Sequence, residues 1–303
     1  MTVNSSFHRG RGSGSEFSLG FVVDCFSPVT WAPSVWAFVC GTISTAIVLE
    51  TRLLPVILGL IVAGPLVGAV GRAANDWFNQ HADAIAEPDR PSPSGRLAGR
   101  WGLYLAIMCS LLALIFGAAL GSWAFGATGL AVASIWVFGA KSVRLKRFGW
   151  LGAVLRAIRY VGLPWFIGAA VMMGTIPDAK VILMAALYTM SAVGIMIFND
   201  FETAKEDRRI GIRTVPVQLG FSRTAVAYAL MIVAQSCVIM LLAYWNAPLH
   251  SLGVGALLLA QVALMSTLHA RSSEWAIWNN AFGILIYYVL GMILSALALA
   301  QIV

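Results

Sequence analysis

Asn75-Asp76-Trp77-Phe78-Asn79-Gln80-His81-Ala82-Asp83-Ala84-Ile85-Ala86-Glu87-Pro88-Asp89-Arg90-Pro91 follows directly on an apolar run, Leu54 to Val70. A run of that length can cross a bilayer, which takes about 20 residues. Carboxylates are costly beside hydrocarbon, so Asp76, Asp83, Glu87 and Asp89 at a helix exit point to function. A second cluster, Asn199-Asp200-Phe201-Glu202 with Glu206-Asp207-Arg208-Arg209, follows another apolar run in the same way. The chain holds only 13 Asp and Glu residues, and eight of them are in these two places. Two acid-rich clusters at matched membrane depth suit a divalent-metal site for a polyphosphate.

Composition agrees with a membrane protein. The 303 residues are 59% hydrophobic and 11% charged, with a mean hydropathy of +0.83. A soluble chain of this length needs more charge to cover its surface. The four cysteines (Cys25, Cys40, Cys109 and Cys237) form no CxxC pair and no zinc spacing, so no disulfide framework is implied. Residues 1–24 read as a polar N-terminal extension rather than a signal peptide, because they lack a compact apolar core. Residues 25–303 form the membrane domain.

The expected fold class is an all-α integral membrane protein with nine transmembrane helices around a central cavity. The runs are Pro33–Leu49, Leu54–Asn75, Gly99–Leu120, Phe125–Ala140, Leu151–Gly174, Val181–Phe198, Arg223–Trp245, Leu249–His269 and Ala276–Val303. Arg156 and Arg159 make the start of the fifth run uncertain. Of 20 Lys and Arg residues, all but Arg52 and Lys180 fall before helix 1 or around the loops after helices 2, 4, 6 and 8. Basic loops stay cytoplasmic, which predicts a cytoplasmic N-terminus and an outer C-terminus. The net charge of +7 is explained by topology, anionic lipid and a charged substrate, with no nucleic-acid partner. Trp31, Trp36, Trp77, Trp101, Trp123, Trp150, Trp245, Trp275 and Trp278 fall near expected membrane borders and suit an aromatic belt.

The two acid-tipped helices lie four apart in the order, which suggests two four-helix units plus one helix. On a helix, Asp76, Asn79 and Asp83 share one face, as do Asp200 and Asp207. Their oxygens suit Mg²⁺, which takes its remaining ligands from water and substrate phosphates. Arg90, Lys141, Arg144, Arg208 and Arg209 can offset charge on a departing diphosphate. Charge runs are most often solvated faces. Repetition at the ends of long apolar helices weighs against that here.

These residues make the chain identifiable by resemblance. It resembles the UbiA-type intramembrane prenyltransferase superfamily, and within it the chlorophyll and bacteriochlorophyll synthases. Asn75-Asp76 with Asp83 is similar to the superfamily's first aspartate-rich motif. The string Asp83-Ala84-Ile85 with Glu87-Pro88-Asp89-Arg90-Pro91 is similar to the pigment synthases, as are Gly99-Arg100-Trp101 and Asn199-Asp200-Phe201. Asp207-Arg208 with Gly211, Pro216-Val217 and Gly220 fits the second motif, and Phe148-Gly149-Trp150-Leu151-Gly152 also fits.

The resemblance implies transfer of a geranylgeranyl or phytyl group from its diphosphate to the propionate of bacteriochlorophyllide or chlorophyllide. It implies Mg²⁺ held by Asp76, Asn79, Asp83, Asp200 and Asp207. The aspartates are then catalytic, and Asn75, Asn79, Arg90, Lys141, Arg144, Asn199, Arg208 and Arg209 bind substrate. The location implied is the cytoplasmic or intracytoplasmic photosynthetic membrane, with lipid and other pigment-biosynthesis or assembly proteins as neighbours. The chain departs from the family at Asn79, where an Asp is usual, and at Phe138, where a Tyr is usual. It also departs at Lys205, where a Glu is usual, and at Arg72. Two alternatives stay open: a diverged paralogue that binds pigment or isoprenoid without turnover, and a quinone-type aromatic prenyltransferase.

Overall fold

The computed structural model describes residues 28–86, 100–139, 149–202, 204–209, 211–220, 225–269 and 274–303. The expected extension 1–24, Cys25, and the loop residues Arg90, Lys141 and Arg144 lie outside them. All regular structure among the described residues is helical. Hydrocarbon offers no hydrogen bonds, so long apolar segments must satisfy their own backbone groups, and a helix does this locally. Among the described residues, six helices are long and apolar enough to span a membrane: Leu49–Asn75, Trp101–Ala119, Trp150–Met173, Ala179–Asp200, Val226–Tyr244 and Leu285–Ile302. Ser122–Val137 and Pro248–Leu264 are shorter apolar helices. The chain is a multi-pass membrane protein.

In order, the helices are α1 (Pro28–Ile43), α2 (Leu53–Ile61), α3 (Val67–Ala86), α4 (Trp101–Ala119), α5 (Ser122–Gly139), α6 (Trp150–Ala157) and α7 (Leu163–Met173). They continue as α8 (Ala179–Glu202), α9 (Ala204–Arg209), α10 (Val215–Leu219), α11 (Ala225–Tyr244), α12 (Pro248–His269) and α13 (Glu274–Ile302). A π-helical turn, Val62–Leu66, joins α2 to α3, and a second, Ile158–Gly162, joins α6 to α7. Proline explains both. It lacks an N–H and its ring collides with the carbonyl four residues earlier, so the helix widens there. Pro65 lies inside the first π turn, and Pro164 follows the second by two residues.

Two expectations from the sequence need correction. The first apolar run was placed at Pro33–Leu49, but α1 ends at Ile43. Thr42 Oγ1 donates to the Val39 carbonyl at 2.7 Å, Ser44 Oγ to Cys40 at 2.6 Å, and Thr45 Oγ1 to Thr42 at 3.0 Å. These hydroxyls occupy the final carbonyls, and Ala46 then turns left-handed at φ 57°. The apolar Ile47-Val48-Leu49 belongs to the connection. Nor does the second rod end where its acids begin, since α3 stays helical to Ala86. The α8 helix likewise runs past Asp200 to Glu202.

Small residues let the helices meet closely. A Cβ on Gly168 would collide with the Phe38 carbonyl, and one on Gly41 with that of Trp165, so α1 and α7 cross backbone to backbone. Around that crossing lies an aromatic core. The Trp165 ring stacks on Tyr188 at 5.5 Å, and Tyr188 meets Tyr288 edge-on at 5.6 Å. Each polar tip is satisfied, as buried aromatics require. Trp165 Nε1 donates to Ser44 Oγ at 3.1 Å, the Tyr188 hydroxyl pairs with Ser295 Oγ at 2.8 Å, and Tyr288 donates to the Tyr188 carbonyl at 2.7 Å.

Lys180 Nζ donates to the Ile302 carbonyl at 3.3 Å, and Arg52 lies against Gly174. Asp200 is twenty residues further along α8 than Lys180, about 30 Å, or one hydrocarbon thickness. Trp101, Trp123 and Trp150 are exposed, as a belt requires. Trp36 instead turns inward and donates to the Val289 carbonyl at 3.1 Å.

Candidate functional site

At the far end of α8, Asp200 is 2% exposed, and Asp207 on α9 is 4% exposed. They are the only buried acidic side chains among the described residues. A buried carboxylate must be paired, because desolvating a lone charge is costly. For Asp200 the partner is Arg156 of α6, whose Nη2 meets Asp200 Oδ2 at 2.5 Å. Arg156 Nε also donates to the Gly152 carbonyl at 3.3 Å within its own helix, which steadies the guanidinium.

The segment after α9 completes this end. Gly211, at φ 73°, turns the chain, and the Ile212 N–H donates back to the Asp207 carbonyl at 2.8 Å. Arg213 and Gln218 then close on the start of α6. Gly149 lies at φ 49°, with the Arg213 carbonyl 3.1 Å from where a Cβ would stand, and Gln218 fills the remaining space. A side chain at Gly149 would be strained in its backbone and would collide with Gln218.

A small cleft of about 20 Å³ lies between α1, α3 and the two π turns. Trp31, Ala63, Gly68, Gly71, Arg159 and Tyr160 are among its walls. Its volume is room for about one water molecule, well below a ligand pocket. Both π turns supply lining residues, the kind of placement often found where helices carry function. Gly71 precedes Asn75 by one turn of α3, about 6 Å along the axis. Trp31, expected in the belt, lines this cleft instead.

The expected site residues fall into three groups. Asp200 and Asp207 are buried, while Asn75, Asn199, Arg208 and Arg209 are exposed. Asp76, Asn79 and Asp83 stand on the helical backbone of α3, at the i, i+3 and i+7 spacing of one face. Their side chains, with those of His81, Phe138, Lys205 and Glu206, are outside the described set. Arg90, Lys141 and Arg144 lie in undescribed loops. The sequence reading missed Arg156. The available signal was an arginine six residues into an apolar helix, a position that costs too much to keep without a partner.

Among the described residues, no three His, Cys, Asp or Glu side chains gather closely enough to hold a metal by themselves. The donors present still fit Mg²⁺. Asp200 and Asp207 supply hard carboxylate oxygens, and that ion characteristically takes only one or two carboxylates and leaves the rest to phosphate and water.

The described residues form a helical membrane bundle with two buried carboxylates, Asp200 at the end of α8 and Asp207 on α9. The chain belongs to the UbiA prenyltransferase family, whose profile matches residues 26–285. It is 43% identical over 300 residues to the bacteriochlorophyll synthase 33 kDa chain of Cereibacter sphaeroides, covering 99% of this chain and 98% of that one. It is 33% identical over 280 residues to the bacteriochlorophyll synthase 34 kDa chain of Chloroflexus aurantiacus, covering 92% and 89%. Its fold matches a UbiA homologue from Archaeoglobus fulgidus, in a structure bound to GPP and Mg²⁺. The TM-score is 0.66 at 16% identity, over 90% of this chain and 99% of that one.

Proposed function

We propose that this enzyme transfers the prenyl group of geranylgeranyl or phytyl diphosphate to the propionate carboxylate of bacteriochlorophyllide or chlorophyllide. The carrying observation is the 43% identity to a bacteriochlorophyll synthase chain across nearly the whole of both proteins. The allylic C–O bond breaks and its electron pair leaves with the diphosphate. A carboxylate oxygen of the acceptor then bonds to the allylic carbon and forms the ester. The carboxylate is already deprotonated, so no base and no covalent enzyme intermediate are needed. Asp76, Asn79 and Asp83 from α3, with Asp200 and Asp207, would hold Mg²⁺. Once bound, that ion would neutralise the diphosphate oxygens and ease their departure. Arg90, Lys141, Arg144, Arg208 and Arg209 add positive charge around the leaving group, and Asn75 and Asn199 add amide contacts. Surrounding lipid and apolar side chains would keep out water that would quench an allylic cation.

Membranes containing the protein, given bacteriochlorophyllide, either prenyl diphosphate and Mg²⁺, are expected to yield esterified pigment by chromatography. An amide at position 79 can ligate Mg²⁺ but brings no negative charge. Asn79→Asp should therefore lower the Mg²⁺ requirement and raise turnover. Pigment that is bound but never esterified by wild type, Asn79→Asp or Asn79→Asp with Phe138→Tyr would make the chain a binding paralogue.

The proposed topology is nine crossings, with α1, the rods α2–α3 and α6–α7, and α4, α5, α8, α11, α12 and α13 each crossing once. The N-terminus and the acidic clusters are cytoplasmic and the C-terminus is outside. Single cysteines replacing Ser94 and Arg144 should react with an impermeant reagent from the same side. Labelling from opposite sides would overturn this arrangement.

A further inference from the structure

The Arg156–Asp200 pair has a consequence for the order in which ligands bind. It rests on the prenyl-diphosphate reading above and goes beyond it. Asp200 is expected to take a metal, yet its Oδ2 is already held by a guanidinium at 2.5 Å. The pair is mostly shielded, with the Arg156 side chain 17% exposed and that of Asp200 3% exposed. At such a site, a divalent cation arriving alone meets a carboxylate whose charge is already offset, and it is repelled by the arginine behind it. A diphosphate reverses the balance. Its oxygens give the metal its remaining ligands and accept from the guanidinium as well. Arg156 has the geometry for both partners. One terminal nitrogen is on Asp200 and Nε is on Gly152, and the planar fork has further N–H groups for a phosphate oxygen.

We propose that Arg156 couples the metal to the diphosphate. It discourages Asp200 from binding the cation alone and favours the cation and prenyl diphosphate entering together. Arg156 is thus a positioning residue in the metal-free protein and a diphosphate contact in the loaded one. It stands on α6, outside both acidic clusters, and reaches the site only because α6 packs against the end of α8.

Two binding measurements on the purified full chain in detergent test this. The first is Mn²⁺ alone, read by electron paramagnetic resonance. The second is the unreactive geranylgeranyl thiolodiphosphate in saturating Mg²⁺, read by calorimetry. Arg156→Gln is expected to bind Mn²⁺ about tenfold more tightly and the analogue about tenfold more weakly, within the usual span of a coupling between two ligands. Arg156→Lys keeps the charge but not the fork, so Mn²⁺ binding should stay near wild type while the analogue weakens. A purely structural arginine moves both affinities of Arg156→Gln downward together, or neither, and either result overturns the coupling alone. Wild type that binds neither Mn²⁺ nor the analogue overturns the prenyl-diphosphate reading and this inference with it.

Discussion

Replacing Asp200 with alanine should lower prenyl transfer by on the order of 10³-fold or more, the scale of losing a catalytic metal contact. The carboxylate is 2% exposed at the end of a long helix, where nothing in bulk water can replace it. The alanine also leaves Arg156 without its partner in a mostly buried place. Breaking a buried pair from one side costs about 3–5 kcal/mol, so lost activity and lost stability must be separated. Asp200→Asn does this. Its amide oxygen can still accept from Arg156, so melting and gel-filtration behaviour should stay near wild type, while activity falls nearly as far as in Asp200→Ala. Asp76→Ala, in the first cluster, is expected to lose activity to a similar extent. Near-normal turnover by Asp76→Ala and Asp200→Asn at limiting Mg²⁺ would reduce both acidic clusters to surface solvation.

Trp165→Ala is expected to have the largest effect on stability, about 3–5 kcal/mol, the usual range for deleting a fully buried large aromatic. Trp165 is 0% exposed, stacks on Tyr188 and donates to Ser44. It also lies on the α1–α7 crossing, where Gly41 and Gly168 hold the backbones too close to shift into the vacated space. Trp165→Phe keeps most of the ring contact and loses one hydrogen bond, a net loss of about 1 kcal/mol from that bond. In detergent melts the order should be wild type, then Trp165→Phe, then Trp165→Ala well below both. A Trp165→Ala protein that melts with wild type would mean the crossing does not depend on this side chain.

Much of the fold could be read in the chain because lipid imposes so strict a rule. Apolar runs must be helices, and charge can gather only at their ends. The runs expected at Val181–Phe198 and Leu249–His269 correspond closely to α8 and α12. Charge bias assigned Arg52 and Lys180 to one end, and in the structure Lys180 donates to the Ile302 carbonyl while Arg52 lies against Gly174. The end of α1 was harder to place. Hydropathy continues smoothly through Ile47-Val48-Leu49, whereas the helix stops on the hydroxyls of Thr42, Ser44 and Thr45. Hydropathy measures transfer into lipid and says nothing about which backbone carbonyls are already occupied.

By itself, the sequence determined the helical class, the two acidic clusters and the residue types that can hold a metal and a diphosphate. Each follows from local composition, because the cost of a polar group in hydrocarbon is felt residue by residue. Only the tertiary structure decided that Asp200 is held by Arg156, forty-four positions away, and that the two π turns open a cleft beside α1. Neither could be read along the chain. An ion pair between helices depends on which faces meet, and here close contacts such as Gly162 against Thr189 of α8 help set that. Arg156 in isolation looked like a misplaced charge near a boundary, and the packing of α6 on α8 supplied its partner.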